Sequence, residues 1–398
     1  MRVIGLISGT SMDGIDVAVA DLELEAGEII LRPLGSTTVP YEGQLRERLG
    51  AALPPGTTTA EQVCQLDNEV GQAFADATRE ALGGPAGGRA DLVVSHGQTL
   101  YHDVRAGRVL GTLQIGQPAW IAEATGLPVV ADLRTRDIAA GGQGAPLVSM
   151  FDVLLMAGFE RPTAALNLGG ISNLTIVSPG ADPVGFDAGP ANALIDAAIQ
   201  HVTDGVEAFD RDGMMAARGR VDASLLRHLQ ADPYYGRPPP KSTGKELFNL
   251  DYLIKALDTT GLNQSEGPAP ADLVTTVTTL TAVTVADACR RYGVREVIAS
   301  GGGTSNLFLM ETLSNYLSDV PVASIDDFGI PSDTKEAYAF ALLGFLTVHH
   351  LPGNVPSVTG ASRSAILGSI LPGSGGFPAR PVVGPPPTRL RVEVPSTR

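Results

Sequence analysis

Apolar residues recur along this chain in two rhythms, and the first stretch sets the theme. Val3–Ile7 and Val17–Ala20 are short apolar runs joined by Ser8-Gly9-Thr10-Ser11-Met12-Asp13-Gly14-Ile15-Asp16, a connection of small and polar residues. That pattern predicts a β-hairpin, with Ile29–Thr38 as a third strand. From Thr59 to Leu82 the rhythm changes. Val63, Leu66, Val70, Phe74 and Ala77 recur at helical spacing and predict an amphipathic helix closed by Gly83-Gly84. Asp91–Val94 predicts a short buried strand running into the polar loop Ser95-His96-Gly97-Gln98-Thr99. Thr112–Ile115 and Pro128–Ala131 predict further strands, and Pro146–Met156 a helix.

At Thr163 the opening theme returns. Ala164–Leu168 predicts a strand, Gly169-Gly170-Ile171-Ser172-Asn173 a small-residue turn, and Leu174–Val177 a second strand. Two such hairpins, each heading an α/β segment, suggest a duplicated architecture in which both could grip one polyphosphate. A short strand then ends at Asp187, with Pro190 placed for the first turn of a helix reaching His201. Pro233–Asn249 reads as a long connector. Its Lys241-Ser242-Thr243-Gly244 resembles a P-loop fragment, but Pro240 stands where a P-loop needs glycine. Ala271–Tyr292 predicts a helix, Glu296–Ala299 a strand, and Leu307 onward a helix after the run Ser300–Asn306. A last apolar helix opens at Lys335-Glu336-Ala337 and reaches about His350; beyond Pro372 the chain turns Pro/Gly-rich and reads as a mostly irregular tail.

Composition narrows the picture. The 398 residues suffice for two domains, with 43% hydrophobic and 18% charged residues as in folded soluble proteins. A formal net charge of -15 argues against nucleic acid and anionic membrane as partners. It leaves a phosphorylated ligand open, because backbone amides and a metal ion hold phosphates inside acidic proteins. Cys64 and Cys289, lone and far apart, make neither a disulfide framework nor a cysteine zinc site, which fits a reducing cytoplasm. Asp13 and Asp16 interrupt the first apolar run before it can serve as a signal peptide, and Ala337–Val348 is too short to span a bilayer. None of the six histidines clusters at metal spacing.

Several segments carry candidate chemistry, each with a structural alternative. The turn around Gly9–Gly14 lets backbone N–H groups approach an anion, or is an ordinary solvated hairpin. His96, past a strand end, lines a ligand crevice or is a structural loop histidine. Arg134, in Asp132-Leu133-Arg134-Thr135-Arg136-Asp137, clamps a carboxylate or phosphate or belongs to a surface salt-bridge run. Asp187 is a helix cap or a general base. Gly301-Gly302-Gly303 before Asn306 lets backbone pack flat on a planar or phosphorylated ligand. Asp327-Phe328-Gly329 lacks the companions of the protein-kinase triplet.

Together these stretches resemble the anhydro-N-acetylmuramic acid kinases, a branch of the actin-like and hexokinase-like ATPases. The matching segments are 5–16, 95–99, 131–148, 167–175, 185–194, 241–249, 301–306 and 335–337, in the family's order. The resemblance implies an α/β fold of two RNase H-like domains with mixed sheets and ATP in the cleft between them. It implies a first domain of residues 1–132 plus 351–372 with the first phosphate loop and part of the sugar site. A second, 133–350, would hold the second phosphate loop, the catalytic Asp and the adenosine loop, leaving 373–398 as tail. On that template Gly9, Thr10, Ser11, Met12, Asp13, Gly14, Ile15 and Asp16 form the first phosphate loop. Asn167, Gly169, Gly170 and Asn173 form the second, with Gly189 and Asn192 beside it, and Gly301, Gly302, Gly303 and Asn306 lie by the adenosine. Ser8 stands where the wider superfamily carries an Asp, so protein ligands for Mg²⁺ do not transfer. Ala188 and Ala191 replace an expected Thr and Gly.

The resemblance also implies a reaction: water opens a 1,6-anhydro bond and ATP phosphorylates the freed O6, giving N-acetylmuramic acid 6-phosphate and ADP in peptidoglycan recycling. Asp187 matches the base, and His96, Arg134 and Glu336 match sugar-orienting positions, Arg134 facing the lactyl carboxylate. ATP and Mg²⁺ are the implied cofactors, a cytoplasmic homodimer the implied form. The alternatives are a kinase of the same fold with another polyol or carboxylate acceptor, and a non-catalytic ATP-dependent switch.

Overall fold

A computed structural model describes residues 1–9, 12–53, 56–105, 108–262, 268–378 and 385–394. The chain forms two compact units, Met1–Gly158 with Phe328–Arg398, and Phe159–Asp327. The strands of the first unit are β1 (Arg2–Ser8), β2 (Gly14–Glu25), β3 (Glu28–Pro40), β4 (Leu92–Arg105), β5 (Arg108–Ile115) and β6 (Val129–Ala131). The second unit holds β7 (Thr163–Leu168), β8 (Ile171–Val177), β9 (Val184–Pro190), β10 (Glu296–Ser300) and β11 (Val322–Ser324). The chain then returns to the first unit for β12 (Ser369–Leu371) and β13 (Arg389–Val392).

The two sheets repeat one topology. The first runs β12-β6-β4-β1-β2-β3-β13 with β5 paired to β4; the second runs β11-β10-β7-β8-β9. In the first, β1, β2 and β3 are antiparallel neighbours while β4 and β6 join parallel. In the second, β7, β8 and β9 are antiparallel and β10 and β11 parallel. This is the mixed, RNase H-like sheet, present twice as the paired hairpins predict.

Packing explains why the central strands are apolar throughout. In β1, Ile4 and Leu6 pack with Val70 and Phe74 of the helix Ala60–Gly83. That helix begins in a reciprocal cap: Thr59 Oγ1 accepts from Gln62 N at 3.2 Å, and Gln62 Oε1 accepts from Thr59 N at 2.9 Å. The other face of β1 meets the helix Lys335–Val348, every residue of which except Glu336 is buried. A Cβ on Gly5 would lie 2.1 Å from Ala337 O, so only glycine lets that helix lie directly on the strand. In the second unit the helix Pro270–Arg291 is equally enclosed although threonine-rich. Most of its buried hydroxyls bond locally, Thr278 to Val274 O at 2.8 Å and Thr279 to Thr275 O at 2.8 Å, while Thr281 donates to Pro190 O at 3.0 Å, so no polar atom is stranded there.

Three expectations are corrected, and that of a mostly irregular tail is refined. Residues 133–158 and 328–350 belong to the first unit, because the Lys335–Val348 helix covers β1 and Arg134 bonds to β4. Residues 95–99 lie inside β4, which pairing with β5 prolongs from Gln98 to Arg105. The second turn is Gly169-Gly170 alone, and Pro190 ends β9, the helix starting at Asn192. The tail is not irregular throughout: β13 pairs parallel with β3, Leu390 opposite Ile29.

Candidate active site

In the first unit the β1–β2 connection is braced from β4. Ser8 Oγ donates to Gln98 Oε1 at 2.5 Å, and Gln98 Nε2 donates to Gly9 O at 3.3 Å. Thr10 and Ser11 lie outside the described residues. Met12 takes a left-handed φ of 51°, and Asp13 is exposed. Gly14 and Ile15 belong to the sheet: they pair with Pro40 and Val39, and Ile15 is buried in the core. A Cβ on Gly14 would fall 2.6 Å from Val39 O, so its glycine is explained by β3 rather than by a ligand. Around Gly9, by contrast, a Cβ would meet nothing within 4 Å. Asp16 accepts from Thr38 Oγ1 at 2.6 Å. Burial pushes its carboxyl up to about 6, helped by the negative charges of Glu336, Asp13 and Asp333 and opposed by the Thr38 bond.

His96, Arg134 and Glu336 converge. Arg134 Nε donates to His96 Nε2 at 2.7 Å, and its guanidinium reaches Gly144 O at 3.3 Å. His96 Nδ1 lies 2.9 Å from Gly97 O, so that nitrogen carries the proton and Nε2 is the acceptor. Burial pushes the imidazole down to about 3, with the Arg134 charge acting in the same direction. His96 is therefore a neutral orienter of Arg134, packed against Phe340 with ring centroids 4.6 Å apart. Burial raises the Glu336 carboxyl, opposed by Arg134 and Lys335. Beside it a buried Lys335–Asp152 pair closes at 2.6 Å, holding the start of that helix.

In the second unit Asp187 sits within β9, not at a helix start, which removes the capping reading. Its Oδ1 accepts from Asn173 Nδ2 at 2.8 Å and its Oδ2 from Thr243 N at 2.9 Å. Its backbone is fixed as well, Asp187 N donating to Lys241 O at 3.1 Å and Tyr234 OH donating to Asp187 O at 2.8 Å. Burial raises its pKa, against the lowering effect of those two side-chain bonds. Asn173 thus holds the carboxylate that its own segment was expected only to accompany.

The glycine-rich loops of this unit divide by what their bonds do. Gly169 O and Gly170 O accept the N–H groups of Asn192 and Ala193, tying the helix Asn192–Val202 to the turn. Asn192 Nδ2 donates to Leu168 O at 3.2 Å. Asn167 pairs with Asn173 across β7 and β8. Gly189 O accepts from Ser172 Oγ at 2.9 Å. Asn306 Oδ1 caps the helix Leu307–Leu317 at Leu309 N, 2.9 Å away. Gly301 has a φ of 87°, and Gly303 packs against Leu168. Gly302 stands clear of any neighbour within 4 Å. Sequence reasoning missed Tyr234 and saw Lys241 only as the start of a matching segment. Lys241 Nζ donates to Tyr234 O at 3.2 Å and lies 4.4 Å from the Tyr234 ring centroid. Burial, then Arg291, pushes that amine down to about 8, with Asp187 opposing. The failed P-loop match had drawn attention to this lysine for the wrong geometry.

The profile of anhydro-N-acetylmuramic acid kinases matches residues 1–373. A Streptomyces coelicolor protein of that name is 57% identical over 392 residues, covering 98% of this chain and 99% of its own. The chain belongs to the anhydro-N-acetylmuramic acid kinase family. A Rhodococcus erythropolis protein of the same name is 52% identical over 99% of this chain and 100% of its own. One from Picosynechococcus is 40% identical over 93% of this chain and 99% of its own. The span matched to the anhydro-N-acetylmuramic acid kinase family includes Asp187, His96, Arg134 and Glu336 and stops before β13. No helix among the described residues is long and apolar enough to cross a membrane.

Proposed function

We propose that this protein carries out its family's reaction, hydrolytic opening of 1,6-anhydro-N-acetylmuramic acid with phosphorylation of O6 by ATP. The observation that carries the assignment is the Asp187 carboxylate, pinned by one donor on each oxygen and made more basic by burial. As a base it takes a proton from water while the water oxygen bonds to the anomeric carbon. The bond from that carbon to O6 breaks, and O6 bonds to the γ-phosphorus as ADP leaves. His96, neutral and bonded to Arg134, orients the guanidinium for the lactyl carboxylate, and Glu336 joins them in positioning the sugar. The Gly9–Asp16 and Asn167–Asn173 hairpins are assigned to the phosphates, and Gly301–Asn306 to the adenosine.

Among the described residues no group of three or more His, Cys, Asp or Glu side chains could hold a metal. Mg²⁺ would therefore enter on phosphate oxygens and water, as it does in many nucleotide enzymes. Asp16, half-buried and with its carboxyl raised by burial and by the charges of Glu336, Asp13 and Asp333, would be favoured by a cation nearby. When bound, the ion neutralises charge on the phosphoryl group in transfer. A role in peptidoglycan recycling, a cytoplasmic setting and a homodimer follow the family.

The test is incubation with ATP, Mg²⁺ and 1,6-anhydro-N-acetylmuramic acid in ¹⁸O-water. The expected product is N-acetylmuramic acid 6-phosphate with the label at C1 and none in the phosphate. Label in inorganic phosphate with the sugar unchanged would mean an ATPase without this acceptor, favouring the switch reading.

A further inference from the structure

Behind Arg134, in the same unit, lies a buried carboxylate that the proposed reaction does not use. Asp137 belongs to the short helix Thr135–Ala139 and is fully enclosed. Three neutral donors hold its carboxylate. Gly144 N bonds Oδ2 at 2.8 Å, while Asn354 Nδ2 at 2.7 Å and Thr359 Oγ1 at 2.8 Å bond Oδ1. Converging donors explain the residue type. An ionised carboxylate only accepts, whereas an asparagine would turn its NH₂ on one of them.

The far side of this cluster is fixed as well. Asn354 and Thr359 are buried. Asn354 Oδ1 accepts from Ala365 N at 2.7 Å, and Thr359 O accepts from Gln143 N at 2.8 Å. Gly142 packs so closely that a Cβ there would run into the Asp137 carboxylate. Gly144 passes the restraint on. Its N–H is on Asp137, its carbonyl accepts from Arg134 at 3.3 Å, and its φ of 68° is a left-handed value that glycine adopts freely. His96 takes the Arg134 Nε–H at 2.7 Å. One bond would let the guanidinium swing about it; two set its plane. Hydrogens remain on both terminal nitrogens, the pair that meets a carboxylate side by side.

We propose that Asp137 is a positioning residue for carboxylate recognition by Arg134, an inference that rests on the reading of Arg134 given above. It touches no substrate. It acts through Gly144, holding the carbonyl that fixes the guanidinium plane for the acceptor's lactyl group. Selectivity for the acid-bearing sugar then depends on a residue two hydrogen bonds removed from the guanidinium.

The experiment measures calorimetric Kd values for 1,6-anhydro-N-acetylmuramic acid and 1,6-anhydro-N-acetylglucosamine, which has a hydroxyl in place of the lactyl ether. Wild type, Asp137→Asn, Arg134→Ala and the double variant are compared, with melting temperatures. Wild type should bind the lactyl sugar more tightly. Asp137→Asn should cut that preference roughly three- to tenfold, the worth of one hydrogen bond, and leave the analogue's Kd unchanged. Arg134→Ala should abolish the preference, and adding Asp137→Asn should change it no further, because the two act as one unit. A purely structural Asp137 would lower the melting temperature and weaken both sugars alike, or neither. Either result overturns the proposal, as do additive losses in the double variant. If Asp137→Asn does not fold, Thr359→Val, which removes one donor to the carboxylate, must show the same selective loss, and a preference equal to wild type overturns the proposal. A wild type that binds both sugars alike would instead overturn the reading of Arg134, and the proposal with it.

Discussion

Asp187 lends itself to a clean substitution, because its two bonds can survive loss of the charge. In Asp187→Asn the new carbonyl oxygen can accept from Thr243 N while the new NH₂ donates to a turned Asn173 amide. The fold should hold, with sugar opening and phosphorylation slowed roughly 10²–10⁴-fold, the usual worth of a general base. Product formation and a thermal melt on the same sample check both halves. The raised pKa adds a pH signature. Since the base must be ionised, kcat/KM should fall as pH drops through a value above the ordinary 3.8, and a limb at or below 3.8 would remove Asp187 from the role. Asp16 gives the second residue-scale prediction. Its carboxyl is raised from 3.8 to about 6, so its contribution to stability is present below its unfolded pKa and lost as pH rises through about 6. Asp16→Asn should therefore raise the melting temperature of the nucleotide-free protein at pH 7.5 more than at pH 4, while ATP turnover falls. Equal shifts at both pH values would show that burial and the neighbouring charges do not raise this carboxyl in the folded protein.

At the scale of elements, the two hairpins were legible because apolar runs flank turns of Gly, Ser and Asn. The reach of β4 was not. Ser95–Thr99 is polar enough to read as a loop, and pairing keeps it extended, with β1 at Leu6–Ser95 and Ser8–Gln98 and with β5 from Gln98–Ile115 to Arg105–Arg108. The same long-range pairing hid Asp187's true setting, since its partners Asn173 and Thr243 lie 14 and 56 residues away. Glycine identity was equally ambiguous in sequence: Gly9 and Gly14 look alike there, yet only Gly14 is pressed against β3. Substituting each separates scaffold from ligand contact. Gly14→Val should unfold or strongly destabilise the first unit. Gly9→Ala should leave the melting temperature near wild type and weaken ATP binding about tenfold or more, the equivalent of about 1.4 kcal/mol. Unchanged ATP affinity in folded Gly9→Ala would move the phosphates away from this turn.

For the whole molecule, the repeated sheet topology followed from the repeated hairpins, but the unit boundaries did not. They fall at 158/159 and 327/328, set by which sheet each helix covers rather than by any break in composition. The strand within the mostly irregular tail carries little signal for a related reason: four residues of strand among prolines show little periodicity, and their partner lies some 360 residues earlier. Once paired, β13 is well anchored. Leu390 is 2% exposed, Arg391 bonds Glu28 at 3.1 Å, and Arg32 bonds Glu393 at 2.8 Å. Deleting residues 374–398 should cost about 2 kcal/mol, chiefly the buried leucine, readable as a lower urea midpoint; an unchanged midpoint would show that β13 contributes little. The seat for this strand is cut into the chain elsewhere: a side chain on Gly158 would meet the Arg389 guanidinium, and one on Gly329 would meet Val394. Its loss would also uncover backbone. Glu28–Leu31 of β3 would present unpaired N–H and C=O groups on the rim of a sheet, the template along which foreign strands add and proteins polymerise. A version trimmed to residues 1–373 should therefore associate as its concentration rises, so this short terminal strand guards solubility as well as stability.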